Sequence, residues 1–162
     1  MSQRLMLMTA GVVLIASSVW AQSAPIKIAV STPYLDNADI PTNVIEKCTA
    51  LGTKLSAFTR QYAAKDGLSL VQEPQVDSHS AGRVFVMQIT HVVSRGNAFI
   101  GHQKSMSAKG ELFVNGKSRG VANFTRDSMG GFGGGFKGSC SVLGRTTKAL
   151  GRDLANWLKE HS

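Results

Sequence analysis

The stretch "MSAKGELFVNGKSRGVANFT", residues 106–125, decides the fold. Asn115-Gly116 stands between two alternating segments, and a type I′ turn needs positive φ at both central residues, which this pair tolerates best. The stretch therefore reads as a β-hairpin. In its first arm Ala108, Gly110, Leu112 and Val114 alternate with Lys109, Glu111 and Phe113. The returning arm carries Lys117 and Arg119, with Arg126 just beyond. Upstream, "RVFVMQITHVV" (residues 83–93) places Val84 and Val86 on one face and Phe85, Met87, Ile89 and Val93 on the other. That pattern describes a central strand covered at least partly on both sides. Together these segments make a meander of about three strands.

Helical periodicity flanks the meander. Val44, Cys48, Leu51, Leu55, Phe58 and Tyr62 recur at three and four residues, one stripe of an amphipathic helix, with Pro41 suited to its first turn and Gly67 ending it. Cys140, Leu143, Thr147, Leu150, Leu154 and Trp157 form a second such stripe near the C-terminus. The apolar segments "IKIAV" (residues 26–30) and "LSLVQ" (residues 68–72) bracket the first helix and predict a β-α-β opening. The expected fold is α+β, a mostly antiparallel sheet of about five strands with two helices packed on one face. The sequence shows no internal repeat and no coiled coil.

At the N-terminus, Arg4 precedes an apolar run at residues 5–16, and Val19 and Ala21 occupy the −3 and −1 positions of a cleavage site. This is the pattern of a secretory signal peptide. The apolar run is shorter than the roughly 20 residues of a spanning helix. Residues 1–21 are thus expected to be removed, leaving 22–162 as one domain with no transmembrane span. The nearest cysteine to that site is Cys48, so no lipid-bearing N-terminal cysteine is expected. Export makes a disulfide between Cys48 and Cys140 the favoured reading, against two buried free thiols. Across a loop of about 90 residues the bridge would contribute up to about 4–5 kcal/mol.

The chain carries a net charge of +8, and loss of Arg4 leaves +7. The excess is concentrated in residues 79–126, where Arg83, Arg95, Lys104, Lys109, Lys117, Arg119 and Arg126 face Glu111 alone. A basic surface outside the cytoplasm meets lipid headgroups, lipopolysaccharide phosphates or acidic polymers, and nucleic acid is not expected there. The same charge also serves solubility, and on edge strands it prevents sheet-to-sheet aggregation.

Motifs for catalysis fail on context. "GGFGGGFKGSC", residues 130–140, contains Gly133, Gly135 and Gly138 at G-x-G-x-x-G spacing, but no further strand follows its helix to complete a dinucleotide site. In the P-loop pattern Phe136 stands where lysine is required. Phe132 and Phe136 remain as residues that tuck against the sheet or form a contact surface. "GKSRG" spells G-x-S-x-G around Ser118, yet a hairpin start is not the strand-to-helix elbow that motif needs. His79, His91, His102 and His161 lack short metal-ligand spacing, with His79 and His102 expected in turns. The acids pair in no general acid–base pattern. No catalytic residue, metal or cofactor is assigned. Asn123-Phe124-Thr125 is a glycosylation acceptor in a eukaryotic host alone.

The order strand, helix, strand, basic meander, glycine-rich loop, helix resembles the small α/β accessory domains of bacterial envelope proteins. These include the group of the curli secretion lipoprotein and the N-terminal domain of TolB. The resemblance spans most of residues 22–162 and rests on element order, and the chain departs from it in lacking a lipobox cysteine. It implies binding or assembly rather than catalysis. The leading expectation is a periplasmic or secreted non-enzymatic domain. It would contact an anionic envelope component or an envelope partner protein through Lys109, Lys117, Arg119 and Arg126 and the neighbouring Phe132 and Phe136. A small exported hydrolase near the glycine loop, or an inhibitor or assembly factor using the phenylalanines, are the alternatives.

Overall fold

The structure is a computed structural model and describes residues 24–97, 101–128 and 138–162. Residues 1–21, expected to be a signal peptide, and Phe132 and Phe136 with most of the glycine loop, lie outside the described residues. The elements run β1 (Ile26–Ala29), β2 (Tyr34–Asp39), α1 (Thr42–Lys47), α2 (Leu51–Lys65), β3 (Leu70–Glu73), β4 (Arg83–Asn97), β5 (Gly101–Val114), β6 (Lys117–Ser128) and α3 (Ser139–His161). The fold is α+β as expected.

The sheet has the order β3-β1-β4-β5-β6, with β2 also pairing with β4. β1 and β3 are parallel neighbours joined through the helices, the β-α-β unit anticipated from the sequence. β4, β5 and β6 form the antiparallel meander. At its tip Asn115 has φ 50° and Gly116 φ 75°, the two positive values a type I′ turn demands. The turn is also clamped from outside. The Asn115 amide donates to the Gly82 carbonyl, and the Gly82 amide donates to Asn115 Oδ1, both at 2.8 Å.

Four details depart from the sequence reading. First, β2 is a sixth strand where the polar "YLDNAD" suggested none; its ladder touches β4 only at Tyr34 and Asp39, and Asn37 between them adopts φ 61°. Second, β4 and β5 extend to Asn97 and back from Gly101, so His102 lies on a strand instead of in a turn. Third, a bulge between Ile89 and His91 reverses the phase of β4, and Val92, not Val93, points into the core. Fourth, the first helix is broken after Lys47, with Cys48 at the break. The break re-phases α2: Leu51, Leu55, Thr59 and Ala63 are buried, while Phe58 and Tyr62 sit half-exposed at the margin.

The core lies between the sheet and the helix layer. Ile26 and Ile28 of β1, Phe85, Met87 and Ile89 of β4, Met106, Ala108 and Leu112 of β5, and Leu143, Leu150, Leu154 and Leu158 of α3 are all buried there. Burying each such aliphatic side chain contributes about 1.5–3 kcal/mol. Residues that alternate with these, such as Lys27, Lys109, Glu111 and Asn123, occupy the opposite face, where Val84 is nevertheless fully buried.

The two long helices run parallel. Cys48 and Cys140 form a disulfide near their N-terminal ends, with Cα atoms 5.3 Å apart across a sequence separation of 92. Midway, Gly151 lets α3 press against α2, since a Cβ there would stand 2.7 Å from Phe58 Cβ and 3.0 Å from the Thr59 amide nitrogen. At the C-terminal ends the Lys159 ammonium meets Asp66 at 3.0 Å. On the sheet side the Trp157 ring stacks on Phe85 at a centroid distance of 6.0 Å and on His161 at 4.2 Å.

Candidate functional site

The hairpin cations do not form one patch, because strand alternation and helix packing send them to different places. Lys109 lies on the sheet face opposite the helices and pairs with Glu111 at 3.2 Å. Arg126 lies on the helix side, where its guanidinium binds both carboxylate oxygens of Asp153, Nε to Oδ2 at 2.6 Å and Nη2 to Oδ1 at 2.8 Å. That partner holds the guanidinium pKa above its ordinary value. Lys104, counted with the basic segment, is only 1% exposed and donates to Ser94 Oγ and the Arg95 carbonyl, each at 3.1 Å. Burial pushes its ammonium below the usual pKa. Lys117 and Arg119 are left exposed near the turn, Arg119 as the extra residue where the β5–β6 register shifts; neither has an ion pair among the described residues.

Ser118 has an assigned partner. Its hydroxyl donates to Glu111 Oε1 at 2.7 Å on an exposed strand. That bond, with a smaller contribution from Lys109, holds the Glu111 carboxyl below its ordinary pKa. Among the described residues no histidine bonds this serine, so the usual nucleophile–histidine pair is not formed there. His79 contacts Asp77 at 3.1 Å in an exposed turn, and His91 reaches Asp39 at 4.0 Å. Hydrogen bonds from His79 lower the Asp77 pKa. Among the described residues no group of three His, Cys, Asp or Glu side chains is placed to hold a metal, and no helix is long and apolar enough to cross a membrane. A hollow of about 440 Å³ on the sheet face opposite the helices, between β1, β4 and the segment after β3, has no titratable side chain among the described residues that line it.

The helix layer holds cations that the sequence reading passed over. Arg145, Lys148 and Arg152 recur at three and four residues along α3, so they share one face of that helix. With Ala149 and Tyr62 of α2 they line a hollow of about 300 Å³. The signal was available in their spacing. It was hidden because a charged stripe opposite an apolar one is the ordinary outer face of an amphipathic helix.

No protein-family model matches the chain, and comparison with curated proteins finds no match. Among solved structures the fold is similar to that of PelC from Paraburkholderia phytofirmans, a dodecamer, with TM-score 0.52 and 14% identity over 83% of this chain and 88% of PelC. It is similar also to a DUF330-family protein from Xanthomonas campestris, with TM-score 0.51 and 10% identity over 90% of this chain and 89% of that one. Lipoprotein GNA1162 from Neisseria meningitidis aligns at TM-score 0.48 and 14% identity over 82% and 99% of the two chains. At these identities the likeness is one of fold. The resemblance drawn from element order, to small accessory α/β domains of the bacterial envelope, holds at that level.

Proposed function

We propose that the protein is a non-enzymatic accessory domain of the bacterial cell envelope, periplasmic or secreted, that binds an anionic envelope component through its cationic surface. The observation that carries this reading is the fate of the charge. The net charge is +8, and pairing within the fold quenches Lys109 and Arg126 but leaves Lys117, Arg119, Lys148 and Arg152 exposed. Such a surface draws polyanions by long-range attraction that added salt screens. Hydrolysis at Ser118 has no comparable support, since its hydroxyl bonds Glu111 on an exposed strand and not at a strand-to-helix elbow.

The test is co-sedimentation of the purified protein with lipopolysaccharide, peptidoglycan and anionic vesicles over a salt series. The expected result is binding to at least one of them that fades as ionic strength rises. Absence of binding at low salt to every one would sink the reading and leave the charge as a solubility device.

A further inference from the structure

β3 closes one end of the sheet, the end away from the β5–β6 hairpin, and among the described residues its one ladder runs to β1. The Ile26 amide donates to the Ser69 carbonyl at 2.9 Å, and the Val30 amide donates to the Glu73 carbonyl at 2.8 Å. Backbone groups of successive strand residues point to alternate sides. Those of Ser69, Val71 and Glu73 therefore face β1, and the N–H and C=O groups of Leu70 and Gln72 face outward. Beside that edge lies a hollow of about 640 Å³, walled by Ala57, Arg60, Ala64 and Lys65 of α2 and bounded by Leu68 and Leu70.

The outward groups of β3 have the donor and acceptor spacing that one more strand completes, so their natural complement is a peptide backbone. The side chains along the edge select its sequence. A strand laid beside β3 sends alternate side chains to opposite faces of the sheet. On the helix side they meet α2, where Ala57 and Ala64 leave room and Arg60 and Lys65 supply positive charge. The Lys65 ammonium rests 5.2 Å from the centre of the Tyr62 ring, a contact that positions the charge without neutralising it. On the other face they meet Val71, 45% exposed, and Glu73, which pairs with Lys27 at 3.2 Å. Acidic residues fit the first face and apolar ones the second, where Val71 gains cover and Glu73 repels a further carboxylate.

We infer that β3 and α2 form a docking groove for an extended segment of a partner protein in which acidic and apolar residues alternate. The segment adds a strand at Leu70 and Gln72 and turns its carboxylates towards Arg60 and Lys65. This goes beyond the reading of the protein as a binder of anionic envelope material, because the contact is made through backbone and lies at the other end of the sheet from the hairpin cations.

The experiment is an anisotropy titration, over a salt series, with a short fluorescein-labelled peptide that alternates valine with glutamate. A form N-methylated along its backbone and a form with lysine for glutamate are compared with it, and inorganic polyphosphate is titrated separately. The proteins are wild type, Arg60→Glu, Gln72→Pro and Lys117→Glu/Arg119→Glu. Gln72→Pro deletes an outward N–H and spares the ladder to β1, the position at which a sheet edge accepts proline. If it melts early, the N-methylated peptide carries the backbone test. Arg60→Glu is expected to weaken binding about tenfold and to flatten its salt dependence. Gln72→Pro is expected to weaken it about fivefold with the salt dependence unchanged, since it removes a hydrogen bond and no charge. The N-methylated and lysine peptides bind more weakly still, and the hairpin pair binds like wild type. In the complex the Leu70 and Gln72 amides gain protection from hydrogen exchange. Equal binding of the N-methylated peptide overturns strand addition, and equal binding of the lysine peptide overturns the acidic pattern. Loss of binding in the hairpin pair with Arg60→Glu unaffected overturns the groove. Polyphosphate bound by wild type but not by Arg60→Glu, with no binding of the peptide, makes the hollow an anion site and overturns the peptide as occupant. Failure of wild type to bind the peptide at low salt overturns the inference and leaves the proposed function to its own co-sedimentation test.

Discussion

Arg126 on β6 and Asp153 on α3 face each other in a two-pronged ion pair, with both carboxylate oxygens held within 2.8 Å of guanidinium nitrogens. Asp153 is buried, while Arg126 reaches it from a strand at the edge of the sheet. The pair therefore fastens the last strand to the last helix, and it withdraws one of the hairpin's cations from any external partner. A buried carboxylate stripped of its partner is more damaging than the pair is stabilising.

Arg126→Ala should accordingly lower the melting temperature more than Lys159→Ala, whose partner Asp66 lies nearer solvent. Arg126→Ala/Asp153→Asn should recover part of that loss. Thermal denaturation of the three variants decides it, and equal melting of the two single variants would contradict the structural role.

The Cys48–Cys140 bridge closes most of the chain into one loop. In the chain-entropy account its removal should cost about 4–5 kcal/mol. Chemical denaturation of Cys48→Ser/Cys140→Ser should show a midpoint shift of that order. A shift near zero would mean that packing of α2 on α3 alone restrains the unfolded ensemble.

Gly151 sits where the two helices come closest. Gly151→Ala gains about 1 kcal/mol of helix propensity. The added methyl meets backbone as well as side chain of α2, and overpacking costs about 1–3 kcal/mol. The expected outcome is net destabilisation of about 1 kcal/mol, measured by denaturant titration. Stabilisation would show that the helices separate at little cost.

Glu111 titrates below its ordinary value of 4.5 because Ser118 and Lys109 bond its charged form. A lowered folded pKa gives stability that is present above the unfolded value and is lost as pH falls through the folded one. Ser118→Ala should raise the Glu111 pKa towards 4.5 and reduce the acid sensitivity of folding. Side-chain NMR titration reads the first effect, and an unmoved pKa would show that the hydroxyl bond is not formed in solution.

Lys104 behaves in the opposite sense. Its folded pKa lies below 10.5, so between the two values the unfolded chain holds more protons and stability rises with pH. Lys104→Met should remove that rise. It should also stabilise the protein at neutral pH by about 1 kcal/mol, since an unpaired ammonium no longer leaves water. The hydrogen-bond acceptors it abandons, Ser94 Oγ and the Arg95 carbonyl, belong to half-exposed and exposed residues that water can serve. A loss of stability at every pH would assign Lys104 a structural role in joining β4 to β5.

Part of this architecture was legible in residues close together in the chain. The Asn115-Gly116 turn, the apolar stripe of α3, the β-α-β opening and the alternation of Ala108, Gly110 and Leu112 rest on φ preferences and side-chain periods that a few neighbours determine. The pairing of Cys48 with Cys140 was legible too, from two cysteines on core stripes of a chain expected to be exported. Other features were not. β2 exists because the upper edge of β4 was open to it, and its own polar residues carry no strand signal. Thr90 is bulged, and that one extra residue moved Val93 out of the core and Val92 into it.

The charged surface shows the same division. The sequence by itself determined how many cations there are, and that Lys117 and Arg119 follow the hairpin turn. Only the tertiary structure decided that Arg126 meets Asp153, that Lys104 is buried and that Tyr62 turns towards α3. The reason is physical: backbone preferences and periodicity act over one or two turns, whereas burial and ion pairing depend on which distant segments the closed sheet and the bridged helices bring within a few ångströms.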